Sequence, residues 1–552
     1  MNSLVNNWVY GEVSPKLGGR FDLAMHSQGC ETLLNFRPML QGGITRRPPL
    51  KHIAETIQSR IIPFTLSSGE SFLIELSHKR LRVWKDQLGA LEPARFLPSN
   101  KDYLDTDYLA SDIWTIQYAQ YYDRLYLVHK NYMQSVLQYS SNSFSFGPFN
   151  LSTDSGEPLG KSANNYPGVV AICQNKLWVA STILQPYATW VSRPPYDGSN
   201  NHHNFMTFDR VSSTTEVLRD PSQWPYTTNE KGEQIIDFSD SSKFVEEVEE
   251  TDEVVTAKCA MELELASGRN DTIMWIAGMD NIFIGTEANE WALPFDIDPT
   301  KQAASLQSSL GSLSIQPAVL HDGLFFLQRG NRLREFTRSQ NGAIANDLSY
   351  TADHMLSVRV MQIASLKNPD PMLFCLLFDG SLAVLSYDKL NGMQGWSRWT
   401  TQGQFISIAA REDNTGQVMH VVVKRDTRYF IEYFDFSESS VFSDRAGEPL
   451  MGDLDYQSLM VGNRFDLATD NGSTIGKSKK VKEVWVRSLD SGRVSTGVEE
   501  RYMQQSSKAV GSEDFRIPIA GGARKELKIR LEAVGSDPLT LLAMAFDVEV
   551  NG

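Results

Sequence analysis

The sequence contains few cysteines, and they lie far apart. Cys30, Cys173, Cys259 and Cys375 are the four cysteines among 552 residues. A structural zinc site needs clustered ligands, and a disulfide-stabilised fold needs a much higher density of cysteine. We therefore predict four buried thiols and no metal site.

The sequence also lacks a long apolar run. The longest runs are Leu373 to Phe378 and Leu539 to Phe546, whereas a membrane-spanning helix needs about 20 apolar residues. Residues 1–10 do not join a basic start to an apolar stretch, as a secretory signal would. These absences predict a protein without a membrane anchor that is synthesised in a reducing cytoplasm.

Positive charge is in deficit as well. The sequence has 52 Lys and Arg against 67 Asp and Glu, which gives a formal net charge of −15. Proteins that bind nucleic acid regardless of sequence do so by neutralising phosphates with Lys and Arg. The charge balance therefore argues against tight binding of nucleic acid, but it leaves open a surface that repels it.

Motifs that carry chemistry are missing. The sequence has no GxxxxGK[ST] loop for phosphates, no GxSxG nucleophile turn and no HExxH metal-binding helix. We therefore predict no catalytic residue, no metal and no cofactor.

Short apolar segments joined by polar turns are abundant, and helical periodicity is scarce. Seven such hairpins turn near residues 79, 123, 175, 281, 323, 380 and 426. Five of the six intervals are 42 to 57 residues, and the sixth, 106, is about twice that. A period of about 40–50 residues is typical of four-stranded propeller blades. The alternative is an irregular array of hairpins in sandwiches or a barrel.

The pattern divides the chain into three parts. Residues 1–55 contain a candidate helix from Arg20 to Phe36 and a basic turn, residues 56–440 form the propeller-like body, and residues 441–552 form a C-terminal β domain. Residues 183–271 are rich in turn formers and read as a loop-rich insertion. The predicted fold class is all-β, with a β-propeller-like body of repeated hairpin blades and a smaller β domain formed by the chain ends.

Two charged segments are candidate sites. The acidic segment could line a channel that a polyanion slides past, although a solvated loop is the plainer interpretation; its acids are Glu246, Glu247, Glu249, Glu250, Asp252 and Glu253. Arg46 and Arg47 form a basic turn that could dock an acidic partner or cap a helix.

Several segments, in order, resemble the tail nozzle proteins of short-tailed bacteriophages, also called tail tubular protein B or tail hub proteins. The matching segments cover most of residues 10–440: GEVSPKLGGRFDL (11–23), LLNFRPMLQGGITRRP (33–48), RIIPFTLSSGESFLIELSHKRLRVW (60–84), AQYYDRLYLVHKNY (119–132), NKLWVAST (175–182), WVSRPPYDG (190–198), IMWIAGMDNIFIGTEANEWAL (273–293), LFFLQRGNRLREF (324–336) and DGSLAVLSYDKLNGMQGWSRWTT (379–401).

The resemblance implies a structural role in the virion tail after synthesis in the host cytoplasm. Members of this family form a homo-hexameric ring below the tail adaptor ring proteins and carry tail fibres or spikes at the side. Double-stranded DNA is retained by the ring and passes through its channel at ejection without sequence-specific binding.

Two other functions remain alternatives. The first is a non-catalytic propeller that binds a receptor or glycan, suggested by Trp190, Tyr196 and Trp224 in loop-like segments. The second is a polysaccharide-degrading propeller, for which the sequence offers only its many acids.

Overall fold

The structure is a computed structural model in which strands make up 55% and helices 4% of the chain. The all-β prediction is confirmed. The residues described are 2–87, 90–94, 96, 100–153, 159–194, 203–207, 209–218, 220–236, 242, 245–256, 259–265, 271–294, 298–299, 304–339, 342–413, 416–437, 441–445, 452–466, 468–469, 472–498, 500, 503–506 and 509–551.

The chain begins with short elements that mostly belong to a sandwich described below. These are β1 (Asn2–Val5), β2 (Gly11–Glu12), a 3-10 turn (Pro15–Leu17), helix α1 (Ala24–Ser27), β3 (Gly29–Leu34), β4 (Phe36–Pro38), β5 (Ile44–Arg46) and β6 (Leu50–Thr56). The helix expected from Arg20 to Phe36 is wrong over most of its length. Cys30, Leu33 and Leu34 have helical spacing, but pairing with strands on both sides draws them into β3.

Four-stranded antiparallel sheets then repeat along the chain. Blade 1 consists of β7 (Arg60–Thr65), β8 (Ser71–Ser77), β9 (Arg80–Gln87) and β10 (Ala90–Pro93), with β11 (Leu104–Asp105) beside β9. Blade 2 consists of β12 (Gln117–Tyr121), β13 (Arg124–His129), β14 (Tyr132–Ser140) and β15 (Ser143–Pro148). After the short strand β16 (Ser152–Thr153), blade 3 consists of β17 (Val169–Cys173), β18 (Lys176–Ala180), β19 (Ala188–Val191) and a fourth strand, β25 (Met261–Glu264).

Blade 3 is interrupted between its third and fourth strands. The interruption holds β20 (Asn204–Phe205), β21 (Asp209–Leu218), a 3-10 turn (Pro221–Gln223), β22 (Tyr226–Thr228), β23 (Gln234–Ile236) and β24 (Val245–Val254). Strands β21 and β24 pair with each other as a two-stranded ribbon. The doubled interval between hairpins therefore holds an insertion rather than an extra blade.

The later blades follow without such a break. Blade 4 consists of β26 (Ile273–Gly278), β27 (Asn281–Thr286), β28 (Glu290–Pro294) and β29 (Ser305–Ser308), and blade 5 of β30 (Ala318–Leu320), β31 (Gly323–Gln328), β32 (Arg332–Ser339) and β33 (Gly342–Asp347). After a 3-10 segment (Tyr350–Leu356), blade 6 consists of β34 (Val360–Leu366), β35 (Met372–Leu377), β36 (Leu382–Asp388) and β37 (Met393–Trp399). Blade 7 contains β38 (Gln404–Asp413), β39 (Gly416–Arg425) and β40 (Arg428–Phe434).

The circle closes through the N-terminal part of the chain. Strand β6 pairs antiparallel with β40 and supplies the fourth strand of blade 7. The chain then runs directly into β7, the innermost strand of blade 1. The described residues thus form seven blades, and β6 spans the boundary drawn at residues 55 and 56.

A hydrophobic cluster fills each space between neighbouring blades, including the space between blades 7 and 1. Members from the two facing blades are Phe64 and Leu125, Val128 and Leu177, Trp178 and Ile284, Trp275 and Phe326, Phe325 and Leu385, Phe374 and Val421, and Val422 and Leu73. Because these clusters run unbroken around the circle, the predicted propeller body is confirmed.

All seven predicted hairpins are present, but they occupy different positions in their blades. In blades 1, 6 and 7 the hairpin joins the second and third strands, and in blades 2 to 5 it joins the first and second. This offset explains the uneven spacing of turns in the sequence. Positive φ angles occur at these turns, for example +54° at Lys79 and +80° at Gly380, as hairpin geometry requires.

The remaining strands lie after blade 7. They are β41 (Ser443–Asp444), β42 (Leu454–Asp455), β43 (Leu459–Gly462), β44 (Ala468–Thr469), β45 (Gly472–Ser473), β46 (Ser478–Leu489), β47 (Val494–Gly497), β48 (Gln504–Gln505), β49 (Asp514–Pro518), β50 (Arg530–Ala533) and β51 (Thr540–Asn551).

The two chain ends combine into a smaller β domain, as predicted, and this domain is a sandwich of two sheets. One sheet has the order β4-β5-β51-β46-β49, with β1 on β51, and the other runs β2-β3-β43-β50-β47-β48 and continues into β37 of blade 6. The predicted alternation is confirmed at Leu527, Ile529 and Leu531, and at Met544, Phe546 and Val548, which are buried in the core between the sheets.

Candidate functional site

Arg47 lies between the sandwich strand β5 and the propeller strand β6, and it is fully buried. Its guanidinium group donates two hydrogen bonds to the Asp444 carboxylate, at 2.9 and 2.7 Å. The ring of Tyr456 covers it, 3.6 Å from the guanidinium carbon to the ring centroid. Asp444 lies where the chain leaves the propeller, so the pair joins the two chain crossings between propeller and sandwich.

Arg46 is also buried and points into the sandwich side of the same junction. Its guanidinium group donates to the Ser458 hydroxyl at 2.9 Å and to the backbone carbonyls of Tyr456, Gly535 and Asp537 at 3.0, 3.0 and 2.6 Å. The expected docking role of this basic turn is wrong, because both guanidinium groups are enclosed and hold the molecule's own segments.

A second buried ion cluster lies beside this junction in blade 7. Arg425 pairs with Glu432 at 2.7 Å, and Arg445 approaches the same carboxylate at 3.3 Å. Burial raises the pKa of Glu432, and Arg425 opposes that rise. Thr401 donates to Asp444 at 2.6 Å and accepts from Arg425 at 2.9 Å, so the two clusters form one continuous network.

The acidic segment lies on the ribbon of the blade 3 insertion. Strand β24 pairs along its whole length with β21, with Glu247 opposite Glu216 and Glu250 opposite Ser213. Asp252 and Glu253 are exposed. The side chains of Glu246, Glu247, Glu249 and Glu250 lie outside the described residues.

The topology fixes the end of the propeller from which this ribbon emerges. Successive strands of a blade reverse direction, so a segment that follows the third strand emerges at the end opposite to the start of the innermost strand. We call the end where the innermost strands begin the cavity end, and the opposite end the ribbon end. The acidic ribbon is therefore attached at the ribbon end.

At the cavity end, the innermost strands of blades 1, 2, 6 and 7 and the segment before blade 5 line a cavity of about 360 Å³. Arg60, at the start of β7, lines it and is only 7% exposed. Arg359 and Gln58 lie at its exposed mouth, together with the ring of Phe378, which is 73% exposed. No Asp or Glu lines the cavity among the described residues.

Glutamine side chains cross the propeller channel near this cavity. Gln316, before blade 5, donates to the Tyr118 carbonyl of blade 2 at 2.8 Å. Gln117 of blade 2 donates to the Met274 carbonyl of blade 4 at 2.6 Å. Both bonds join blades that are not neighbours, so side chains close the channel within the propeller itself.

Arg60 and these glutamines were not among the site residues predicted from the sequence. A weak signal was present, because each is a polar residue at or just before the start of an innermost strand. A residue in this position faces the channel only when its strand is the innermost of the blade. The hairpins alone do not show which strand is innermost.

Other site types find little support in the described part of the chain. No group of three or more His, Cys, Asp and Glu there could hold a metal ion. None of the helices described is long and apolar enough to cross a membrane. All four cysteines are buried as predicted, and burial raises the pKa of Cys173 and Cys375 to about 12.

No family model matches the chain, and no curated protein matches it. Similar solved structures include the RRP9 WD40 repeats, with 7% identity and a TM-score of 0.39 over 71% of this chain and 100% of that one. The Neurospora crassa Pan2 WD40 domain has 8% identity and a TM-score of 0.34 over 71% and 91%. The Cps50 (Swd1) β-propeller domain of Myceliophteria thermophila has 8% identity and a TM-score of 0.38 over 70% and 99%.

These similarities concern the fold alone. The assignment of a β-propeller rests on the strand pairing and on the hydrophobic clusters between blades. The chain is an all-β protein whose body is a β-propeller.

Proposed function

We propose that this chain is a non-catalytic structural protein whose propeller serves as an assembly and binding platform. The observation that supports this proposal is the use of its buried charges. Arg46, Arg47 and Asp444 tie distant chain segments together, and Arg425 and Glu432 pair inside blade 7 beside them. A glycosidase needs two carboxylates facing one open cleft, and no described residue in the lining of the central cavity supplies even one.

The finer proposal is a subunit of a phage tail nozzle or hub, located in the virion tail. The ordered sequence resemblance supports it. Several matching residues form the junction between propeller and sandwich, which a plain propeller does not need. Gly11, for example, lies so close to blade 6 that a Cβ atom would be 2.2 Å from the Trp396 carbonyl oxygen.

A DNA conduit would have to run between copies of the chain. Hydrogen bonds of Gln117 and Gln316 cross the propeller channel. A DNA duplex, whose major groove alone is about 12 Å wide, does not fit through a channel crossed in this way. The proposed ring of six copies, each at −15, would carry −90 formal charges. Carboxylates along its inner wall would bind phosphates weakly and let DNA slide.

Light scattering after size exclusion, together with negative-stain imaging, tests the ring. We expect six-fold rings from the protein alone or after addition of the tail adaptor ring proteins, and density on the tail axis in virions. A protein that stays monomeric with the adaptor present and lies away from the tail axis would rule out the nozzle proposal while leaving the structural propeller in place.

Receptor or glycan binding is the second candidate. One aromatic residue that suggested it does not fit, because Trp190 lies on β19 and is 7% exposed. Trp224 is half-buried, and Tyr196 lies outside the described residues. The aromatic side chains at the cavity, Trp114 and Phe378, favour this function instead. Saturable binding on a glycan array by a protein that forms no ring would support it over the nozzle.

A further inference from the structure

Arg60 is a buried cation without a carboxylate partner. Its three hydrogen bonds all come from Nη1 and go to the carbonyls of Ile113, Trp114 and Ile116, at 2.9, 3.1 and 2.6 Å. Its Nε and Nη2 donors have no hydrogen-bond partner in the described chain. Burial lowers the pKa of the Arg60 guanidinium group, and the neighbouring Tyr118, 5.8 Å from the guanidinium carbon to the ring centroid, opposes that shift.

Arg46 is also buried without a carboxylate partner, but all three of its guanidinium nitrogens donate hydrogen bonds. Arg47 and Arg425 each face a buried carboxylate. A buried charge normally has a partner, because removing it from water is costly. An arginine that lines a cavity and keeps two donors unpaired is therefore suited to an anion that enters from outside.

The rest of the cavity fits the same ligand. Arg359 at the mouth is exposed and makes no side-chain bond within the described residues. The lining adds aromatic and aliphatic surface from Trp114, Met361 and Phe378. Positive charge without any described acid is unusual in a chain with net charge −15, so the cavity is a local exception to the acidic surface.

We propose that this cavity binds a carboxylate attached to an apolar group. Arg60 and Arg359 hold the carboxylate, in the paired geometry that guanidinium groups favour. Trp114 and Phe378 flank the apolar part. At about 360 Å³, the cavity matches a small ligand or the last residues of a peptide. The site does not depend on ring assembly, so it survives if the nozzle proposal fails.

Calorimetric titration of the full chain tests the site with N-acetyl-phenylalanine and its uncharged amide. We expect the carboxylate to bind and the amide to bind at least about tenfold more weakly, because a hydrogen bond to a charged group is worth that much. Equal binding of the two probes, or no binding of the carboxylate at ~1 mM, would overturn the proposal.

Variants then show whether binding occurs in this cavity. Arg359→Ala changes an exposed side chain and should weaken binding about tenfold, and Arg60→Met should weaken it further. Arg487→Ala removes an exposed arginine of the sandwich and serves as the matched control. If Arg359→Ala and Arg487→Ala both bind like the parent protein, the carboxylate lies elsewhere and the proposal fails, even if Arg60→Met does not fold.

A second pair of probes identifies the source of the carboxylate. A tetrapeptide that ends in phenylalanine is titrated with a free C-terminus and with an amidated one. Tighter binding of the free tetrapeptide than of N-acetyl-phenylalanine indicates a peptide end as the natural ligand, and equal binding indicates a free organic acid. Either result supports the shared carboxylate chemistry.

Discussion

Arg47 and Asp444 are 397 positions apart in the chain and form a two-bond ion pair in which both side chains are 0% exposed. Asp444 also accepts a hydrogen bond from the backbone of Leu50 at 3.0 Å. The pair therefore fixes the closing strand β6 as well as the sandwich. Loss of one partner leaves a buried charge uncompensated, which is more costly than loss of both.

Arg47→Met is expected to lower the free energy of unfolding by about 3–5 kcal/mol. The double variant Arg47→Met, Asp444→Leu should recover part of that loss because it removes both buried charges. Urea titration of both variants measures the effect. Arg487→Met breaks the exposed pair with Asp514 and should leave the unfolding midpoint near the parent value. Equal losses for the buried and the exposed pair would contradict the role assigned to Arg47.

Gly11→Ala should disrupt the contact between sandwich and blade 6. Gly11 has φ of +58°, and an added Cβ atom would lie 2.2 Å from the Trp396 carbonyl oxygen. Backbone strain and overpacking together predict a loss of about 2–5 kcal/mol in unfolding experiments. Gly69→Ala is the matched control, because Gly69 has φ of +86° and nothing within 4 Å of an added Cβ. Gly69→Ala should lower the free energy of unfolding by about 1–2 kcal/mol. An equal decrease for Gly11→Ala and Gly69→Ala would show that the close contact with Trp396 does not matter.

Glu290→Gln should stabilise the protein at neutral pH. Glu290 is fully buried in blade 4, accepts hydrogen bonds from Ser308 and Ser312, and has a pKa raised by burial. Because the pKa is raised in the folded state, this carboxyl group contributes to stability at pH values below its unfolded pKa of 4.5. That contribution to stability is lost as the pH rises through the pKa of the folded state.

Melting temperatures of the parent and Glu290→Gln proteins at acidic and neutral pH check this expectation. The variant's advantage should be larger at neutral pH, where the parent must keep a charge in a buried site. An advantage that grows as pH falls would mean that the sign of the shift is wrong.

Charge reversal of the acidic ribbon tests whether it lines the proposed DNA channel. Glu246, Glu247, Glu249 and Glu250 are changed to Lys together. If the ribbon lines the channel of the proposed ring, virus particles should assemble normally and eject DNA more slowly, because phosphates bind to the new cations. Ejection followed by dye fluorescence measures the rate, and lower salt should increase the delay. An unchanged rate in assembled particles would place the ribbon away from the DNA.

The hairpins were predictable because two short apolar segments flank each polar turn and the turns carry suitable residues. The outer strands were not, since β29 (SLQS) and β33 (GAIAND) are short and lack a clear pattern. Without them the blades could not be counted. The closing role of β6 was also hidden, because its partner β40 follows it by more than 370 residues.

The roles of the charged residues were harder to predict than the fold. An arginine pair before two prolines looks the same in the sequence whether it is exposed or enclosed. Ser458, which pairs with Arg46, and Asp444, which pairs with Arg47, lie about 400 positions away. Arg60 stands out only after the innermost strands are known. In both cases burial, which depends on the whole fold, decides what the side chain does.

The pairing of β1 with β51 has a consequence for biosynthesis. Asn2 lies opposite Asp547, 545 positions later in the chain, so β1 has no partner for as long as those residues take to be made. At about 5–20 residues per second this wait lasts roughly half a minute to two minutes. The propeller meets a similar delay, because blade 7 needs β6. A nascent chain of this protein therefore keeps open strand edges during these intervals, and shielding of those edges by a chaperone would serve it best while it is still attached to the ribosome.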